Sequence, residues 1–171
     1  PAPWPKDLQM EFGAGPHSTP VIVGARLFSV GCTAKLVCLD KASGKALWSK
    51  DLHAEHKAVL QMQGYGSSPL AHNGNILLPV SKEKGDAIMA FRQSDGSLAW
   101  KGGSFEPAYA SLMTIQAEGT EQLVVFTGNA VVGADPTNAE TLWSIDHPTQ
   151  WSANISTPVW GVDDNLLFIS S

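Results

Sequence analysis

Three stretches of this chain share one pattern: an apolar run, a turn, and a short apolar run ending in tryptophan. They are Leu36-Val-Cys-Leu-Asp40-Lys-Ala-Ser-Gly44-Lys-Ala-Leu-Trp48, Ile88-Met-Ala-Phe-Arg92-Gln-Ser-Asp-Gly96-Ser-Leu-Ala-Trp100 and Val131-Val-Gly-Ala-Asp135-Pro-Thr-Asn-Ala139-Glu-Thr-Leu-Trp143. Each reads as strand, tight turn, strand. The tryptophan falls twelve residues after the first apolar residue in every copy, and the steps between tryptophans are 52 and 43 residues. A period of that size makes the chain a repeat protein before anything else is decided.

A second anchor lies ahead of each hairpin: Ser18-Thr-Pro20-Val, Ser67-Ser68-Pro69-Leu, Ala110-Ser111-Leu112-Met and Ser156-Thr-Pro158-Val. With Leu112 in the proline slot, the steps are 49, 43 and 46 residues. Between the anchors the sequence divides into short strands. The first unit has Thr19–Val23, Leu27–Val30, Lys35–Asp40 and Ala46–Lys50. The second has Pro69–His72, Ile76–Val80, Ala87–Phe91 and Leu98–Lys101, with Asn73-Gly74 as a strong hairpin signal. The third has Leu112–Gln116, Gln122–Thr127, Ala130–Ala134 and Thr141–Ile145; the fourth has Pro158–Gly161 and Leu166–Ser170. The best helical candidate, Asp51–Met62, is short and broken. Four antiparallel strands in roughly 45 residues, repeated, describe the blade of a β-propeller. A β-sandwich would not need tryptophan to recur after the same turn. The expected architecture is all-β: blades at 17–52, 67–102 and 110–146, part of a blade at 156–171, and an arriving loop at 1–16. Such an arc leaves an unpaired edge, so further blades of a seven- or eight-bladed parent, or another copy, are expected to close the ring.

Composition agrees. The chain is 43% hydrophobic but only 16% charged, below the roughly 25% of an average domain, as expected for strands buried on both faces. A net charge of −5 and 11 Lys plus Arg without a basic cluster argue against a nucleic-acid surface. No apolar run reaches membrane-spanning length, and Pro1-Ala-Pro-Trp-Pro lacks the regions of a signal peptide. Both ends read as cut from a longer protein. Cys32 and Cys38 read as packing thiols or as a disulfide, the first being favoured because pairing geometry is demanding.

The hairpin spacing Cys38/Asp40/Gly44/Trp48, repeated as Gly133/Asp135/Ala139/Trp143, resembles the tryptophan-docking motif of the PQQ-like (quinoprotein) repeat. The Ser-x-Pro opening is similar to that family's innermost strand. The resemblance covers 17–171 and weakens at Arg92, Ala139 and Leu112, making the third blade the least regular. Gly44, Gly96, Asp40 and Asp135, with Trp48, Trp100 and Trp143, are its structural residues. It implies that each tryptophan packs against the turn of the next blade. The family includes PQQ- and calcium-dependent dehydrogenases of alcohols or sugars, with a pair of adjacent cysteines that this chain lacks. It also includes cofactor-free scaffolds of the outer-membrane assembly-factor (BamB) type. The resemblance favours a non-catalytic, periplasmic or otherwise extracytoplasmic module with a protein partner and no cofactor; the dehydrogenase is the alternative.

Loops before each innermost strand would line one mouth of the channel. They hold Tyr65 and Ser67, Tyr109 and Ser111, and Trp151 and Asn154. If a quinone bound, the resemblance would assign stacking to Trp151 and calcium ligation to Asn154, since hard cations take amide oxygens. The plainer reading has Trp151 and Asn154 closing their loop on backbone groups, and it is favoured. His53-Ala-Glu55-His56 lacks a third metal ligand. His72 and His147 end strands, Asp163-Asp164 marks a turn, and the Asn154-Ile-Ser156 sequon is a pattern common by chance.

Overall fold

A computed structural model of the chain describes residues 17–170; the expected arriving loop at 1–16 lies outside the described residues. Three four-stranded antiparallel meanders follow one another. They are β1 (Val21–Val23), β2 (Arg26–Val30), β3 (Lys35–Asp40) and β4 (Ala46–Asp51), then β5 (Leu70–His72), β6 (Asn75–Pro79), β7 (Ile88–Arg92) and β8 (Leu98–Gly102), then β9 (Met113–Ala117), β10 (Thr120–Phe126), β11 (Ala130–Ala134) and β12 (Thr141–Asp146). A two-stranded sheet of β13 (Val159–Gly161) and β14 (Leu166–Phe168) completes the described chain. This is the all-β, bladed architecture that the repeat implies. The helical candidate shrinks to α1 (Leu52–His56), whose first turn Asp51 caps by accepting from the Ala54 N–H at 2.9 Å. A short 3₁₀ turn, Gln150–Ser152, has no marker in the sequence pattern.

Three cores lie between the sheets, and strand periodicity makes them. Side chains alternate faces along a strand, so the second sheet feeds two cores. Ile76, Leu78, Met89 and Phe91 meet Phe28, Val30, Leu36 and Cys38 of the first sheet. Leu77, Ile88 and Ala90 face the other way, toward Leu123, Val125, Val132 and Ala134 of the third. Val124, Phe126 and Val131 of the third sheet meet Trp160, Leu167 and Ile169. Strands used on both faces have no polar side, which accounts for the low charge.

The register repeats in detail. Cys38, Ala90 and Gly133 stand opposite Trp48, Trp100 and Trp143, and each sheet has an irregularity at the next residue. Leu47 and Leu142 are the residues skipped there, and each is 50% exposed. The residue opposite the tryptophan must be small. At Gly133 a Cβ would fall 2.1 Å from the Trp143 ring. Trp48 reaches the neighbouring sheet: its indole N–H donates to the Gln93 carbonyl at 3.2 Å. Its ring lies over Gly96, where a Cβ would come within 2.7 Å of it. The third sheet keeps the same order and register despite its substitutions. Ala139 takes the left-handed φ of 57° that Gly44 and Gly96 hold at 69° and 73°, a conformation that costs an alanine free energy. Both cysteines are free and buried, and burial pushes both thiols above their ordinary range.

Each turn is tied by one carboxylate. Asp40 accepts from the Ser43 N–H and hydroxyl, Asp95 from those of Ser97, and Asp135 from those of Thr137. Arg92, in the slot held elsewhere by Asp40 and Asp135, bonds instead to the Ser97 hydroxyl and the Leu98 carbonyl. The hydroxyl bond first, then the backbone one, holds each carboxyl below the ordinary value of 3.8. A folded-state value below the unfolded one adds stability above the carboxylate range, and that stability is lost as pH falls through the folded value. Acidification from about pH 5 to about pH 3 is therefore expected to lower the urea midpoint less in an Asp40→Asn/Asp95→Asn/Asp135→Asn variant than in the parent chain. Equal acid sensitivity in the two proteins would discard the turns as its source.

Candidate functional site

The segments joining an outermost strand to the next innermost one carry every residue expected to face the channel. Most of their polar groups are directed at backbone. Tyr65 is 4% exposed, its ring lies in the core between the first two sheets, and its hydroxyl donates to the Pro79 carbonyl at 2.7 Å. Burial pushes its phenol far above the ordinary range. Ser67 is 2% exposed and its hydroxyl donates toward Ala110, the nearest of three carbonyls at 3.1 Å. Beside it the Thr19 N–H donates to the Ser68 hydroxyl at 2.9 Å, and the Ser68 N–H to the Ser111 hydroxyl at 2.8 Å. The hydroxyls of Ser68 and Ser111, at the second position of their anchors, thus tie the first three anchors together.

Asn154 has no exposed surface. Its amide NH₂ donates to the Thr127 carbonyl at 2.6 Å, and its Oδ1 accepts from the Thr149 hydroxyl at 3.1 Å. Its own carbonyl accepts from the Ala110 N–H at 2.9 Å. Trp151, three residues away, is 83% exposed at a φ of 71°, and Ser152 follows at 50°. One loop therefore holds both residues, with Asn154 turned in and Trp151 turned out. Removing the Asn154 side chain leaves the buried Thr127 carbonyl without this donor. Asn154→Ala is expected to cost about 1–3 kcal/mol, read as a shift in urea midpoint. A shift within error would mean that another group takes over the carbonyl.

Two partners had no signal in the sequence. Gln61 donates to the Pro107 carbonyl at 2.7 Å, and the Gln63 N–H donates to the Tyr109 hydroxyl at 2.9 Å. Both bonds cross 46 residues, close to one repeat, so they tie one inter-sheet segment to the next even though no local motif marks either partner. The histidines are likewise engaged. His53 Nδ1 lies 2.8 Å from the Ala58 carbonyl, His56 packs on Phe91, and His72 Nε2 lies 2.9 Å from Glu121 Oε2 across two sheets. His147 packs on Phe126. Among the described residues no three His, Cys, Asp or Glu side chains converge as metal ligands. Asp163 and Asp164 lie in the β13–β14 turn. A cleft of about 380 Å³ opens between the third sheet and the β13–β14 pair, floored by Ile115, Val131 and Leu167 and walled by Trp143 and Trp160. The Trp143 indole donates to Gln122 Oε1 at 2.7 Å there.

Stacked four-stranded meanders with a tryptophan at a fixed register define a bladed repeat protein of the PQQ-like class. The chain belongs to the outer membrane protein assembly factor BamB family, whose model matches residues 2–171. Solved structures share the fold at low identity. BamB from Moraxella catarrhalis superposes with a TM-score of 0.55 at 11% identity, over 84% of this chain and 48% of that one. Quinohemoprotein alcohol dehydrogenase from Comamonas testosteroni gives 0.55 at 13%, over 77% and 21%. A europium-containing methanol dehydrogenase gives 0.56 at 14%, over 78% and 32%. The chain spans about half or less of the length of each. No curated protein matches it. No helix among the described residues is long and apolar enough to cross a membrane.

Proposed function

We propose that this chain is part of a non-catalytic scaffolding propeller that works outside the cytoplasm and holds protein partners on the loops between its blades. The family match to an outer-membrane assembly factor supports the reading. The observation that carries it is how the loop residues are spent. The amide of Asn154 is fully buried and committed on both atoms to Thr127 and Thr149, so its oxygen is not directed at a cation. Tyr65 and Ser67 are likewise turned into the protein. Among the side chains the loops offer outward are large apolar ones: Trp151, Ile155 and Met62 are 83%, 67% and 59% exposed. Large, stiff aromatic side chains suit protein recognition because they bury much area for little lost entropy. Trp48, Trp100 and Trp143 serve on this reading as blade-to-blade docking residues.

The test is a titration of the chain with PQQ and Ca²⁺, followed by tryptophan fluorescence. No saturable response is expected. Quenching that requires Ca²⁺ and is lost in Trp151→Ala would replace the scaffold with the cofactor-dependent dehydrogenase.

A further inference from the structure

The turn between β5 and β6 gathers polar groups around one side-chain amide. His72 pairs with Asn75, so Asn73 and Gly74 form a two-residue turn. Both are exposed and left-handed, at φ values of 43° and 75°. Asn-Gly is a preferred pair for such a turn, and it occurs nowhere else in the sequence. It also sets an asparagine side chain next to a backbone nitrogen with no side chain behind it to hinder approach. No described atom lies within 4 Å of a Cβ placed on Gly74, which leaves the turn room to bring that nitrogen onto the amide carbon.

Both partners of that encounter are polarised by neighbours. The His72 side chain is 9% exposed, and its Nε2 lies 2.9 Å from Glu121 Oε2 of the third sheet. A carboxylate only accepts, so Nε2 carries the proton. The side-chain amide of Asn73 lies 3.4 Å from the same nitrogen. Its oxygen is the end that suits a donor, and rotation about the last side-chain bond presents it. The His72 N–H then draws electrons from the amide carbon, as donors do at any carbonyl under attack. On the other side, Asn75 Nδ2 donates to the backbone carbonyl of Asn73 at 3.2 Å. That carbonyl shares its peptide with the Gly74 nitrogen, so the bond eases loss of the nitrogen's proton. Glu121 holds the imidazole, and pairing with Arg92 holds Asn75 in β6.

We propose that Asn73 is a self-modifying site, converted without an enzyme to aspartate or isoaspartate in the folded hairpin, with His72 and Asn75 promoting the reaction. The Gly74 nitrogen gives up its proton and bonds to Asn73 Cγ. The Cγ–Nδ2 bond breaks, and Nδ2 takes up a proton and leaves as ammonia. The product is a five-membered imide. Water then cleaves one of its two C–N bonds: opening at Cγ gives aspartate, and opening at the backbone carbonyl carbon gives isoaspartate. Nothing is oxidised or reduced. Either product sets a new carboxylate beside His72 and adds a negative charge to a chain of net charge −5. The site is independent of whether the propeller binds a cofactor.

The test incubates the 171-residue chain at neutral pH and body temperature for weeks and follows Asn73 by peptide mapping. Mass detects the exchange of NH₂ for OH, and retention separates aspartate from isoaspartate. Conversion concentrated at Asn73, with isoaspartate present, is expected. His72→Phe keeps a ring and removes the N–H; it is expected to slow conversion about fivefold, the worth of one hydrogen bond to the reacting amide. His72→Gln, which restores a donor, is expected to recover most of the rate, and Asn75→Val to slow it as His72→Phe does. In concentrated urea, where neither contact survives, every one of these chains is expected to convert at the same rate. A folded chain that keeps Asn73 intact overturns the proposal, as does a folded-state rate that His72→Phe and Asn75→Val leave unchanged. A difference between variants that persists in urea overturns it too, because its cause then lies in local sequence. Should His72→Phe not fold, the unsubstituted chain against Asn75→Val still decides.

Discussion

Trp48→Ala is expected to cost about 3 kcal/mol of stability, the lower end of the range for removing a large aromatic side chain, because the ring is only half-buried. The loss should fall on one junction. Trp48 packs at a tilt against Phe28 of its own sheet, with centroids 5.8 Å apart, and bonds to Gln93 and lies over Gly96 of the next. In a linear repeat, stability is a sum of unit terms and nearest-neighbour interface terms, so weakening one interface uncouples the first sheet from the rest. Urea unfolding should broaden or split. Amide exchange in β1–β4 should accelerate before that in β9–β12. Trp143→Ala is the control, since that indole bonds to Gln122 and lies on Gly133, both of its own sheet, and it should leave the first junction intact. A single unfolding transition with uniformly faster exchange would refute a local role for Trp48.

Much of this fold is written in short-range pattern. The strand–turn–strand copies are legible because β side chains alternate and because Asp, Ser and Gly have local turn chemistry. The small residue opposite each tryptophan is visible too, as Cys38, Ala90 and Gly133. The irregularity beside it is not, because Leu47 and Leu142 look like any apolar strand residue until the register skips them. Strand ends also moved. The second strand of the second sheet runs Asn75–Pro79, one residue earlier than its apolar run, and β10 starts at Thr120 rather than Gln122. Polar residues at those ends pair because the hairpin turn lies immediately beyond them.

The loops are harder to read, for a physical reason. An amphipathic side chain such as tyrosine, serine or asparagine has the same composition whether its polar atom serves a ligand or a carbonyl of its own backbone. Tyr65 bonds to Pro79 and Asn154 to Thr127, partners 14 and 27 residues away. Neither distance follows from the repeat length. The hydroxyl ties from Thr19 to Ser68 and from Ser68 to Ser111 span 49 and 43 residues, close to one repeat. Those could have been found by aligning the second position of each anchor. Contacts in phase with the repeat are readable in principle; contacts out of phase with it require the fold.

Gly102→Ala tests the second junction by a route that leaves strand propensity nearly untouched. A Cβ on Gly102 would fall 1.9 Å from the Asn138 carbonyl oxygen and 3.0 Å from its carbon. Those are backbone atoms of the facing turn, so no rotamer change can relieve the clash. The second and third sheets must separate, or the Asp135–Ala139 turn must deform against its Asp135 and Thr137 bonds. Overpacking usually costs about 1–3 kcal/mol. The upper end or beyond is expected here because the obstacle cannot rotate away. Gly85→Ala is the matched control, with a φ of 81° and nothing within 4 Å of the added carbon. It should cost only the left-handed backbone penalty of roughly 1–2 kcal/mol. The measurement is the urea midpoint of both variants at one pH. If Gly102→Ala costs no more than Gly85→Ala, the sheets have room to move apart, and close backbone contact does not set the spacing of this junction.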